Sequence, residues 1–212
     1  NRRQELLETA SKLDALVVED DYEFEISSKK STSPALKSLD NEGRVIYVGS
    51  FSKSLFPGLR LGYLVGSAPF ISEARALRAS VLRHPPGHIQ RTAAHFLRLG
   101  HYDALINRMA KQYSIRRSTM AEAIKKYRLE IAVNSSPEGG SSFWMKAPKE
   151  LDTAILAKNL IKSGVLIEPG KNFFAPPNQL ENYYRLAFSS INEEKIEGGI
   201  KLVASFIKKL TV

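Results

Sequence analysis

An α/β fold is expected for this chain on three observations. Short apolar runs at residues 16–18, 45–48 and 61–65 alternate with stretches of helical spacing, the pattern of a mostly parallel sheet. From Leu129 the pattern changes to strand-rich segments at 131–133, 142–145, 165–167 and 184–189, which suits a small α+β domain with antiparallel strands. Between the two lies a long helical zone. The expected organisation is a portion of a large domain over 1–100, a connecting helix over 101–128 and a small C-terminal domain over 129–212. An alternating βα sheet normally has more strands than the first portion offers, so that portion is expected to be the latter part of a larger domain.

The elements follow in order. Residues 3–13 carry Leu6, Leu7, Ala10 and Leu13 at helical spacing. Leu16-Val17-Val18 reads as a buried strand ending in Glu19-Asp20-Asp21-Tyr22. A polar connection over 23–41 is loosest at 27–33 and holds a helical turn at 34–40. Pro69 opens a helix to about residue 82, and His84-Pro85-Pro86-Gly87-His88 then breaks the chain, because proline cannot continue a helix. Helices are expected over 89–99 and 102–127. In the second, Leu105, Met109, Tyr113, Arg116 and Met120 repeat at the interval of one buried stripe. Beyond residue 129, Trp144 is expected in the core, Asp152 caps a helix over 152–162 that Gly164 ends, and an amphipathic helix spans 193–210.

Composition excludes several classes. A chain of 212 residues with 43% hydrophobic and 25% charged content is an ordinary globular one, and no apolar run approaches the length that crosses a bilayer. No signal-peptide pattern opens it. The absence of cysteine rules out disulfides and thiolate metal sites here and is compatible with a cytoplasmic location. His84, His88, His95 and His101 have no acidic ligand cluster beside them, so no metal site is expected. The net charge of +9 comes from 31 Lys+Arg against 22 Asp+Glu. The basic pairs (Arg2-Arg3, Lys29-Lys30, Arg116-Arg117, Lys125-Lys126, Lys208-Lys209) are scattered, which reads as solvated helix faces rather than a nucleic-acid surface.

The chemistry concentrates in Ser50-Phe51-Ser52-Lys53-Ser54-Leu55-Phe56-Pro57-Gly58-Leu59-Arg60-Leu61-Gly62, between two expected strands. A small, polar, Gly-containing turn after a strand is where open α/β sheets place their ligands. Ser50, Ser52 and Arg60 can hold a phosphate through charge-assisted hydrogen bonds, and a lysine amine such as Lys53 can form a Schiff base with an aldehyde cofactor. The plainer alternative is a polar turn with a solvated lysine. Asp20 lies just past a strand end, where it caps a turn or faces a cationic ligand. Asp21 is its rival for that second role, and period-2 geometry sends it to the other side from Asp20 and Tyr22. Arg185 lies inside an apolar strand, where an unpaired charge is costly to bury, so a carboxylate partner is expected.

The pattern S-x-S-K-x-x-x-P-G-L-R-x-G resembles the cofactor-lysine segment of fold type I pyridoxal-phosphate (PLP) enzymes, the aminotransferase family. The resemblance implies a PLP-dependent transferase-like fold with PLP as cofactor. It makes Lys53 the lysine that carries PLP and Ser50, Ser52 and Arg60 its phosphate ligands. Asp20 is then the partner of the pyridine nitrogen, Tyr22 the donor to the phenolate oxygen, and Arg185 the clamp on a ligand's carboxylate. Gly139-Gly140 is expected along the ligand side of the cleft. Further segments (Ser33-Pro34-Ala35-Leu36, His84-Pro85-Pro86, Gly100-His101-Tyr102-Asp103, Arg108-Met109 and Arg116-Arg117) are similar to MocR-type transcription regulators of the GntR superfamily. In those proteins a winged helix-turn-helix precedes an aminotransferase-like effector domain.

The resemblance therefore implies a PLP-binding, amino-compound-sensing part of a regulator, and alternatively a catalytic aminotransferase acting on an amino acid and a 2-keto acid. It also implies a homodimer, DNA contact only through an upstream domain, no membrane, and further cofactor contacts upstream of Asn1.

Overall fold

The computed structural model describes residues 2–21, 34–132, 140–176 and 180–211. The chain forms two compact units, Asn1–Arg108 and Met109–Val212. The division falls inside the long helix His101–Lys126.

The first unit contains α1 (Arg2–Lys12), β1 (Val17–Asp20), α2 (Leu36–Leu39), β2 (Val45–Ser50), β3 (Gly62–Val65), α3 (Ala68–Leu82) and α4 (Gly87–Arg98), followed by the start of α5 (His101–Lys126). Its sheet has the order β1-β2-β3, with β1 parallel and β3 antiparallel to β2. The mostly parallel sheet thus appears as one parallel pair with one antiparallel edge strand. Val45 is fully buried at its centre. The strand expected to be buried at 16–18 is a correction: β1 begins at Val17, and Leu16 and Val18 are 65% and 64% exposed. Successive side chains of β1 point to opposite faces, so Val17 and Glu19 are half-buried while Val18 and Asp20 alternate onto the exposed face.

Two carboxylates hold the short helix α2 in place, since a helix of four residues cannot sustain itself. Glu19 accepts from the N–H groups of Leu36 and Lys37 at 2.7 and 2.9 Å, satisfying donors left open at the helix start. Asp40 then receives the chain at its end, accepting from the N–H groups of Val45, Arg44 and Glu42 and pairing with Lys37 at 2.9 Å. Desolvation opposes its ionisation, but the Val45 N–H, the Lys37 ammonium and the other two N–H groups outweigh that and lower its pKa to about 2.

The second unit holds the rest of α5, then β4 (Glu130–Ile131), β5 (Ser142–Lys146), α6 (Thr153–Ile161), β6 (Glu168–Pro169), β7 (Tyr183–Ala187) and α7 (Glu193–Leu210). Its antiparallel sheet has the order β4-β5-β7-β6. Phe143 and Met145 of β5 and Tyr184 and Leu186 of β7 face a core completed by Leu156, Leu160, Ile196, Ile200, Val203 and Ile207. The α7 residues recur every three or four positions, one apolar stripe of a helix. Each of these fully buried aliphatic side chains contributes about 1.5–3 kcal/mol.

The Asp152 carboxylate caps α6, accepting from Ala154 N–H at 2.7 Å. At the other end Gly164 adopts φ +75°, and the N–H groups of Gly164 and Val165 return to Ile161 and Leu160, closing the helix. That closure explains a second correction. The strand expected at 165–167 forms at Glu168–Pro169, because Val165 is used in the helix terminus and the ladder to β7 starts at Glu168. Arg116-Arg117 is a third: Arg116 donates to the Ser189 carbonyl and the Arg117 guanidinium lies 4.9 Å over the Phe143 ring, so this pair anchors α5 instead of facing solvent.

Because the folded pKa of Asp40 lies below its ordinary 3.8, its stabilising contribution is present above about pH 4 and is lost as pH falls toward 2. Asp40→Asn is expected to cost about 1–2 kcal/mol at neutral pH, with the gap to the parent protein narrowing below about pH 4. Urea unfolding across that range measures both.

Candidate functional site

The parallel register sets Asp20 opposite Val48, so the carboxyl ends of β1 and β2 open on the same edge of the sheet. Ser50 ends β2 on that edge. Residues 51–61 then turn back to β3, closed by Phe51 N–H donating to the Leu61 carbonyl at 3.0 Å and by the pairing of Ser50 with Gly62. Inside this turn, Leu55 N–H reaches the Phe51 carbonyl at 2.9 Å, a single helical turn that carries Ser52, Lys53 and Ser54. Ser52 N–H donates to Ser50 Oγ at 3.2 Å. A 3-10 turn at Pro57–Leu59 buries Leu59 and delivers Arg60 with φ 48° and ψ 42°. A left-handed conformation costs a residue with a β-carbon roughly 1–2 kcal/mol, so buried Leu59 and hydrogen-bonded Leu61 hold Arg60 there against that cost. Lys53 and Arg60 are exposed, and Ser50 and Ser52 are half-buried.

Aromatic residues support this turn. Ser54 is buried, and its Oγ accepts from the Tyr102 hydroxyl at 3.0 Å. Phe51 packs edge-on against Tyr102 at 5.8 Å and lies 5.4 Å from Tyr63, which in turn is 6.0 Å from Tyr47. Gly49 makes room for this arrangement, because a β-carbon there would stand 2.2 Å from Cζ of Tyr63. The Tyr47 hydroxyl donates to Asp21 Oδ2 at 3.3 Å. Burial first, then Tyr63 and Asp21, raises the Tyr47 phenol above its ordinary pKa and keeps it a donor. Asp21 is thereby drawn to the Tyr47 side, while Asp20 shares the exposed side of β1 with Val18. Sequence reasoning missed Ser54, Tyr47, Tyr63 and Tyr102, and only the aromatic run beside a strand-end turn could have pointed to the tyrosines.

In the second unit Arg185 lies on β7, on the face opposite the core. Its Nη2 donates to both carboxylate oxygens of Glu168, at 2.6 and 2.7 Å, and its guanidinium carbon is 5.1 Å from the Phe173 ring centre. Arg185 Nε is buried with no hydrogen-bond partner among the described residues. Trp144 is a correction: it lies beside Arg185 rather than in the core, because it is paired with Arg185 in the β5–β7 register. Its ring stacks on Tyr183 at 5.9 Å and meets Phe173 and Phe174 at 5.5 and 6.0 Å. A cavity of about 990 Å³ opens in this unit, lined by Arg185, Glu168, Ser189, Asn192 and Lys195 among others. The structure thus gathers Asp20, Ser50, Ser52, Lys53 and Arg60 in one unit and carries Arg185 in the other. Tyr22 and Gly139 lie outside the described residues.

Residues 3–202 match the family described as aminotransferase class I and II. The chain belongs to that family. Among aminotransferase-family relatives, the HTH-type transcriptional regulator TauR of Rhodobacter capsulatus is 57% identical over 207 residues, 98% of this chain and 43% of that protein. The aromatic-amino-acid aminotransferase 1 of Thermococcus litoralis is 35% identical over 98% of this chain and 50% of its own length. The crystal structure of kynurenine aminotransferase from Pyrococcus horikoshii superposes with a TM-score of 0.87 at 36% identity, covering all of this chain and 52% of that one. The fold is therefore that of fold type I aminotransferases. The chain spans about half the length of these relatives.

The donors at the sheet edge fit the cofactor of this family. An amine matches an aldehyde, two hydroxyls and a guanidinium match a phosphate dianion, and a carboxylate matches a protonated ring nitrogen. They come from the carboxyl ends of two neighbouring strands, Asp20 on β1 and Ser50 on β2, and from one closed turn.

Tyr102→Phe removes the hydroxyl that donates to the buried Ser54 Oγ and is expected to cost about 1–2 kcal/mol. Adding Ser54→Ala is expected to restore part of that loss, since both partners are then gone. A double-mutant cycle read by chemical unfolding checks it.

Proposed function

We propose that this chain is the cofactor-binding, ligand-sensing part of a MocR-type transcription regulator of the GntR superfamily, which takes PLP and an amino compound. The observation that carries this reading is the 57% identity to TauR over nearly the whole chain, joined to the donor set on the sheet edge.

The roles follow from the chemistry of each group. Lys53 supplies the amine that anchors the cofactor's aldehyde and, when free, moves a proton at the ligand's α-carbon. Ser50, Ser52 and Arg60 hold the phosphate, for which half-buried hydroxyls and an exposed guanidinium are suited. Asp20 keeps the ring nitrogen protonated, and Tyr22 donates to the ring oxygen. PLP, when bound, supplies an electron sink next to the bound amine. Arg185 orients the ligand's carboxylate through parallel hydrogen bonds.

In this reading ligand binding regulates DNA only if the ligand's affinity differs between two states of the protein. The intact protein works as a cytoplasmic homodimer, and DNA binds through an upstream winged helix-turn-helix. Residues 1–100 are the latter part of the cofactor domain, 101–128 the connector and 129–212 the small domain.

A second reading, a catalytic aminotransferase acting on an amino acid and a 2-keto acid, is favoured by the 35% identity to the Thermococcus aromatic-amino-acid enzyme. A sensor and an enzyme need the same contacts, so the residues alone do not separate them. The separating experiment uses the full-length protein with PLP and a panel of amino acids. The regulator reading predicts a shift in DNA affinity with amino acid, abolished by Lys53→Ala, and no sustained turnover. Steady transamination at an ordinary enzyme rate of about 1–1,000 per second, with no DNA binding, would favour the enzyme instead.

A further inference from the structure

Arg185, the carboxylate clamp of the reading above, already holds a carboxylate. Its Nη2 donates to both oxygens of Glu168. Glu168 of β6 stands directly opposite Arg185 of β7 in the ladder, a position from which cross-strand side chains meet. A guanidinium grips a carboxylate with two prongs in either of two ways, end-on through Nη1 and Nη2 or side-on through Nε and Nη2. Both ways use Nη2. The side-on fork has a donor to spare, because Nε has no hydrogen-bond partner among the described residues, and the Phe173 ring lies over the guanidinium on one side.

We propose that Glu168 determines the ligand specificity of this site as a resident carboxylate, so that an acidic ligand gains a two-pronged grip on Arg185 only by displacing it. The proposal rests on Arg185 being the ligand clamp. Displacement is within reach, since the Arg185 and Glu168 side chains are 35% and 49% exposed and ion pairs of that kind contribute little net stability. Both residues also line the cavity of about 990 Å³, which leaves the freed glutamate room to turn into water. The consequence is selective. An amine without a carboxylate leaves the pair intact, whereas an amino acid has to break it. Glu168 therefore narrows the advantage that Arg185 gives to acids over amines of the same shape.

The test measures dissociation constants by calorimetry on the full-length, PLP-loaded protein, with two matched pairs of probes. L-alanine is set against isopropylamine, and β-alanine against propylamine, each amine replacing the carboxylate by a methyl group. Glu168→Gln and Glu168→Ala are expected to tighten the acids about two- to fivefold, the span of an exposed ion pair, and to leave the amines unchanged. In an Arg185→Leu background the same changes at Glu168 are expected to have no effect.

Unchanged or weaker acid binding in both Glu168 variants, with Arg185→Leu still abolishing the preference for acids, overturns the competitor role and leaves the clamp standing. It would make Glu168 a positioning residue instead. Acid binding that survives Arg185→Leu overturns the clamp and the proposal together. Equal tightening of acids and amines also overturns the proposal, since the effect would not run through the carboxylate. Circular dichroism melting of each variant confirms that the compared proteins are folded.

Discussion

The closure of residues 51–61 between two hydrogen-bonded strands is the constraint on which the first unit's chemistry depends. β2 runs parallel to β1 and antiparallel to β3, so the chain leaves the sheet edge at Ser50 and returns to the same edge at Gly62. The Phe51–Leu61 hydrogen bond fixes both ends of that excursion. Lys53 then belongs to one helical turn, and Arg60 is delivered by a 3-10 turn in a conformation that a flexible loop would not keep. Beneath it, buried Ser54 and the packed rings of Phe51, Tyr63 and Tyr102 give the turn a rigid floor. The roles proposed for Lys53 and Arg60 would gain from such support, because a backbone held in place loses less freedom when a ligand arrives.

The second unit solves a different problem. Arg185 sits in a strand whose other face forms the core, and a charge there needs a partner. The antiparallel ladder supplies one in Glu168, and the ring of Phe173 supplies a surface. Trp144, Tyr183 and Phe174 extend that surface into an aromatic face beside the ion pair. An ion pair bordered by aromatic rings has the composition that small-molecule sites use, a few placed polar groups among apolar walls.

Much of this was legible in the chain. The helix at Glu193–Leu210 declares itself through its apolar stripe, and Asp152 and Gly164 mark the two ends of α6 by cap chemistry. The lysine turn was legible because its glycine, proline and hydroxyl residues have few other uses in that order. What sequence reading missed depends on pairing. Whether Trp144 faces the core is decided by a one-residue alternation in β5, and period-2 patterns fix that only when the partner strand is known. The strand expected at 165–167 moved for the same reason, since Val165 served a helix terminus that local apolarity cannot announce. The Glu168–Arg185 and Tyr102–Ser54 contacts join residues distant in sequence, and nothing local in either partner names the other.

The central claim is that Lys53 is the residue that carries the cofactor. Borohydride reduction of the full-length protein with PLP, followed by peptide mapping, tests it most directly, because reduction turns a reversible imine into a permanent label. The account predicts a phosphopyridoxyl group on Lys53 at close to one per chain. A label spread over other lysines, or none at all under saturating cofactor, would contradict it.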